Sequence, residues 1–184
     1  MKKALFIMLS AALIVCATVA GTLAWLTDRT GPVVNTFTVG DINITLTESD
    51  NLDLKMVPGQ SIGKDPKVTV KTGSEACWLF VKIEKSLNFD SFMTFEMADG
   101  WTALDGHVGV YWREVAATTA DRDFSVLKDN TVTVLDTVTK PMLEGVKNAD
   151  GTPNGNAPTL TFIAYAVQKD GIADAATAWR KVTP

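Results

Sequence analysis

Apolar and polar positions alternate with period two along most of this chain, and turn residues cut the alternating runs at short intervals. Ile42, Ile44 and Leu46 alternate with Asn43, Thr45 and Thr47. Ahead of them Phe37 and Val39 share a face, and Gly40 with Asp41 shifts the phase, which predicts a bulge or tight turn. Residues 57–60 (VPGQ) predict a turn, with proline pre-set for one corner and glycine free to take positive φ. Residues 67–71 predict a half-buried strand with Val68 and Val70 inward. Residues 78–84 predict a longer one whose inner face is Leu79, Val81 and Ile83. Further strands are expected over residues 101–104, 108–115, 124–127 and 131–135, with turns at Asp105, Gly106 and residues 128–130. Residues 159–168 are apolar on both faces, Leu160, Phe162, Ala164 and Ala166 against Ile163, Tyr165 and Val167. Such a run belongs in the middle of a sheet or between two layers.

Helical spacing is rarer. Over residues 87–101, Phe89, Phe92, Met93 and Met97 fit a helical stripe, while Phe95 and Met97 fit a strand. A turn or short helix leading into a strand satisfies both patterns. Residues 141–146 predict a brief helix entered through Pro141. Residues 173–182 predict a terminal helix with Asp174 in its first turn and Arg180 and Lys181 in its last, as the helix dipole favours. Residues 148–158, rich in Asn, Gly and Pro, predict a mobile surface loop. About eight to ten short strands at this spacing predict an all-β fold, an antiparallel two-sheet β-sandwich with one or two short helices.

The first residues follow a different rule. Lys2 and Lys3 precede residues 4–20, an apolar run interrupted only by Ser10 and Thr18. As a helix this run spans about 25 Å, short of a hydrocarbon core of about 30 Å. Thr22 and Ala24, small residues flanking Leu23, fit the recognition element of a signal peptidase, so cleavage is expected between Ala24 and Trp25. The alternative is a retained membrane anchor, if the apolar run is counted on to Leu26. Cys16 follows Val15, which is not the small residue that lipoprotein processing requires. The expected organisation is a signal-peptide helix over residues 1–24, an N-terminal extension over 25–38 and a β-sandwich domain over 39–184.

Charge and cysteine usage narrow the partners. The formal net charge is −4, and losing Lys2 and Lys3 with the signal makes it about −6. The basic residues are scattered, so the concentrated footprint of a nucleic-acid-binding protein is missing. Of the two cysteines only Cys77 lies beyond the signal, within an apolar run, which predicts a buried and inert thiol.

The motifs GTLAWLTD (21–28) and NTFTVGDINITLTE (35–48), followed by VPGQ (57–60), KDPKVTV (64–70) and an aromatic strand, resemble the TasA/camelysin-type family of Gram-positive bacteria. The similarity is specific over residues 21–84 and looser through Gly100, Trp101, YWREV (111–115) and residues 159–168. It implies export through a SipW-type signal peptidase and a jelly-roll domain outside the cell, able to assemble into biofilm matrix fibres. It also implies that the freed N-terminal segment, here residues 25–38, completes the sheet of the next subunit. Elementary physics supplies a rationale. An edge strand exposes unpaired backbone groups, an extended donor satisfies them while its alternate side chains fill pockets, and a head-to-tail contact does not close. Trp25, Leu26, Val33, Val34 and Phe37 are the apolar residues of that segment, and Pro32 keeps part of it from pairing at home. The alternative is that the segment packs on its own domain as a first strand.

The expected function is therefore a secreted structural protein of the cell surface or biofilm matrix, with itself as principal partner, the signal peptidase during export, and other matrix or cell-wall components. A monomeric extracellular binding module is the runner-up. Camelysin-like proteins also raise a metallopeptidase, but the chain has a single histidine, His107, no HExxH and no second imidazole. Gly73 and Ser74 lack the strand–serine–helix context of a nucleophile elbow. Calcium at Asp121 and Asp123, or at residues 148–151, would need a ligand loop that neither segment matches. Trp101, Tyr111 and Trp112 are read as packing residues rather than as a carbohydrate platform. No enzyme activity, metal or cofactor is expected.

Overall fold

The computed structural model describes residues 42–49 and 55–182. Ten strands run through them: β1 (Ile44–Thr47), β2 (Ser61–Gly63), β3 (Lys67–Val70), β4 (Cys77–Lys85), β5 (Met93–Thr94), β6 (Thr102–Ala103), β7 (Val110–Val115), β8 (Arg122–Ser125), β9 (Thr131–Val134) and β10 (Leu160–Gln168). Every pairing is antiparallel, in three sheets of order β1-β3-β8, β10-β4-β7-β6 and β2-β9-β5. The chain is all-β in class.

The core follows from the alternation. In β4, Cys77, Leu79, Val81 and Ile83 point to one side, and the register sets Ala166, Ala164 and Phe162 of β10 opposite Leu79, Val81 and Ile83. Val68 and Val70 of β3, Phe124 of β8, Ile62 of β2 and Val132 and Val134 of β9 join the same cluster. One apolar interior is thus shared by all three sheets. Each fully buried Leu, Val or Phe contributes roughly 1.5–3 kcal/mol of transfer free energy, so this interior dominates stability.

The other face of β4 carries Trp78 and Phe80, which water would meet if the sheet were bare. The helix Ala175–Val182 covers it with Ala175, Ala178, Trp179 and Val182, forming a second apolar cluster with Leu104, Val110 and Val167. Asp174 caps this helix, accepting a 2.7 Å hydrogen bond from the Thr177 N–H. Two other helices, α1 (Phe89–Phe92) and α2 (Lys140–Gly145), precede it, so the terminal helix is α3 and the described residues hold three rather than one or two.

Several expectations shift in detail. The strand expected at 124–127 is Arg122–Ser125; Val126 still donates its N–H to the Pro66 carbonyl in the same register, but proline has no N–H to return and the ladder ends there. Met93 and Met97 are not helical: α1 ends at Phe92, Met93 opens β5 against Val134, and Met97 bridges Leu127. β2 was invisible in the sequence, since only Ile62 of its three residues is buried. β10 is not central. It lies at one edge of its sheet and is apolar on both sides because the core takes one face and α3 the other. The loop expected to be mobile over 148–158 is knit by its own polar side chains. Asp150 accepts from Thr152, and Asn154 Nδ2 donates to the carbonyls of Gly145 and Lys147 at 3.1 Å.

Candidate functional site

β10 is nine residues long and pairs with β4 along one side only. Among the described residues no strand pairs with its other side. β1 passes close to it without forming a ladder. A long edge strand with apolar neighbours will accept an added strand unless something blunts it, and β10 carries neither proline nor an inward charge.

Beside the first residues of β10 lies a groove of about 690 Å³. Its floor is apolar: Ile62 of β2, Val132 of β9, Met93 of β5, Phe89 of α1, Val146, and Leu160 of β10 itself. Lys55, Lys64 and Lys147 stand among the lining residues. Lys64 is held in place, paired with Glu48 at 2.5 Å and lying over the Phe162 ring at 5.8 Å. The residues come from five separate stretches of chain, so no local sequence motif announces the groove. The detectable signal was each residue's place on the inward face of its own element. The volume is within the range of sites that take an apolar side-chain cluster or small ligand, about 300–1,000 Å³.

The residues singled out in the sequence fall into two groups. Thr22, Ala24 and Trp25 of the cleavage site, and Trp25, Leu26, Val33, Val34 and Phe37 of the assembly segment, lie outside the described residues, as do the signal-peptide helix and the strand over Phe37 and Val39. The remaining candidates have definite places. His107 is exposed in the turns between β6 and β7, with its ring against Trp179 at 6.1 Å. Ser74 is buried, and its hydroxyl accepts from the Asn43 N–H and donates to the Asn43 carbonyl, tying the lead-in to β1 onto the turn after β3. Cys77 is fully buried, and burial pushes its thiol up to about 11. A thiol so raised is not a nucleophile at neutral pH. Trp101 hydrogen-bonds the Ser125 carbonyl through Nε1 at 2.8 Å, Tyr111 packs on the main core, and Trp112 tilts against Trp78 at 5.3 Å.

Asp121 and Asp123 have their oxygens engaged across the β3–β8 pair. Asp121 accepts from the Thr72 N–H and Lys71, and Asp123 from the Thr69 hydroxyl at 2.6 Å and Lys67 at 2.9 Å. The Thr69 hydroxyl, then Lys67, holds the Asp123 carboxyl below the usual carboxylate range, and the Thr72 N–H, then Lys71, does so for Asp121. A lowered folded-state pKa means the native protein binds fewer protons than the unfolded chain. The contribution is therefore complete above about pH 4, near the unfolded aspartate pKa, and is lost as the pH falls through the lower native value. Urea midpoints should stay level from neutrality to about pH 5 and fall below about pH 4. Asp123→Asn should flatten that fall, and an acid limb of unchanged steepness in the variant would remove Asp123 from this role.

In comparisons with family models, with curated proteins and with solved structures, nothing matches this chain.

Proposed function

We propose that this protein is a secreted, non-enzymatic structural subunit of the cell surface or biofilm matrix, built on a jelly-roll-like β-sandwich of TasA/camelysin type. Its subunits join head to tail, the segment 25–38 of one laid along the open edge of β10 in the next. The observation that carries this reading is the edge of β10 that no strand among the described residues pairs, beside the apolar groove at Ile62, Phe89, Met93, Val132 and Leu160. A donated strand would pair its backbone with β10, and alternate side chains such as Val33 and Phe37 would fill the groove while Val34 takes the other face. The segment joins the domain just ahead of β1, the strand that runs near β10.

Two purified forms test the proposal, one beginning at Trp25 and one at Thr38, examined by electron microscopy and by size-exclusion chromatography with light scattering. Filaments from the first and monomers alone from the second are expected. If both forms remain folded and monomeric across concentration and pH, strand donation is overturned and a monomeric binding module replaces it.

A further inference from the structure

Away from the β10 edge, two guanidinium groups converge on one aromatic ring. Arg113 of β7 and Arg122 of β8 lie over Phe124, with Cζ at 4.2 Å and 5.5 Å from the ring centroid. Arg113 also lies over Trp101 at 5.3 Å. The register explains the meeting. Arg113 is opposite Leu79, so it points between the sheets, and Arg122 is opposite Val70 on the edge strand β8, so it leaves on the same side as Phe124 while remaining exposed. Gly100 backs the first guanidinium so closely that a Cβ there would come within 2.7 Å of Arg113 Nη2.

Neither cation is neutralised. Among the described residues no carboxylate is within ion-pair distance of Arg113 or Arg122, and the buried Nε of Arg113 has no hydrogen-bond partner. The acidic neighbours in sequence are all engaged elsewhere, Glu114 and Asp123 on the opposite faces of their strands and Asp121 just ahead of β8. Glu114 pairs with Lys169, Asp121 with Lys71 and Asp123 with Lys67. Burial, then the charge of Arg122, lowers the affinity of Arg113 for its proton, which is the direction an unanswered cation pair gives. Two cations gathered at one ring raise each other's energy, and a buried donor without an acceptor costs more.

We propose that Arg113 and Arg122, on the shelf formed by Trp101 and Phe124, constitute an oxyanion-binding site for the carboxylate or phosphate group of an anionic ligand. The planar donor fork of arginine matches two oxygens of either group. Stacking on the rings fixes the fork before the ligand arrives, so little side-chain freedom is lost on binding. Arg122 is exposed and Trp101 and Arg113 are half-buried, so solvent reaches the pair. The site is independent of filament formation.

The test is an NMR titration of the Arg113 Nε–Hε signal in the purified protein, with sodium phosphate and, separately, sodium acetate replacing sodium chloride at fixed ionic strength. A saturable shift with phosphate, with acetate or with both is expected, and the salt that acts identifies the oxyanion class. Arg122→Gln alters an exposed side chain and should weaken the response roughly tenfold while the fold persists, as loss of one charged partner implies. No shift with either salt overturns the proposal. An equal shift in the variant also does, because it would reflect bulk ion effects on the surface rather than the pair.

Discussion

Trp179→Ala is expected to lower the unfolding free energy by about 3–5 kcal/mol, the usual cost of emptying a buried aromatic site. α3 has eight residues, too few to stay helical in water without tertiary contacts. What holds it is the second apolar cluster, and Trp179 is its centre, with ring centroids 5.2 Å from Phe80 and 5.2 Å from Tyr165. Losing that ring uncovers the outer face of β4 and β10, so Trp78, Phe80 and Val167 meet water. A fall in the urea midpoint should therefore come with increased binding of a hydrophobic dye. Ala176→Ser on the exposed side of the same helix should change stability by under about 0.5 kcal/mol. If Trp179→Ala were equally mild, α3 would not be the cover of this sheet.

Gly109→Ala should cost about 2–4 kcal/mol, from two sources that act together. Gly109 has φ of 76°, where an L side chain is strained. Its absent Cβ would also be 2.5 Å from the Ile83 carbonyl oxygen, a backbone atom that cannot step aside. The Ile83 N–H donates to the Gly109 carbonyl at 2.8 Å, so the strain acts at the start of the β4–β7 ladder. Gly106, in the preceding turn, has φ of 75° but nothing within 4 Å of the same position. Gly106→Ala should thus cost only the backbone term, about 1–2 kcal/mol. Equal losses for the two variants, read from denaturant midpoints, would show that the close approach to Ile83 contributes nothing.

The sequence by itself determined the class of the fold and the inward face of its longest strands. Leu79, Val81 and Ile83, or Val68 and Val70, alternate with polar or differently placed neighbours, and period two leaves one way to bury them. It also determined that α3 would form where Asp174 leads and Arg180 and Lys181 close, and that Cys77 would be buried. The tertiary structure alone decided which strands neighbour one another. Residues 159–168 are apolar on both faces, which the sequence leaves open between the middle of a sheet and a place between two layers; the tertiary structure decides for the second, with the core on one face and the terminal helix on the other. Periodicity records that a face is covered and carries no information about what covers it. The groove and the arginine pair were likewise invisible along the chain. Phe89, Val132 and Leu160 in one case, and Arg113 and Arg122 in the other, are brought together by pairings whose partners are far apart in sequence. Charge without a partner is a property of distances between side chains, and only the packed sheets set those distances.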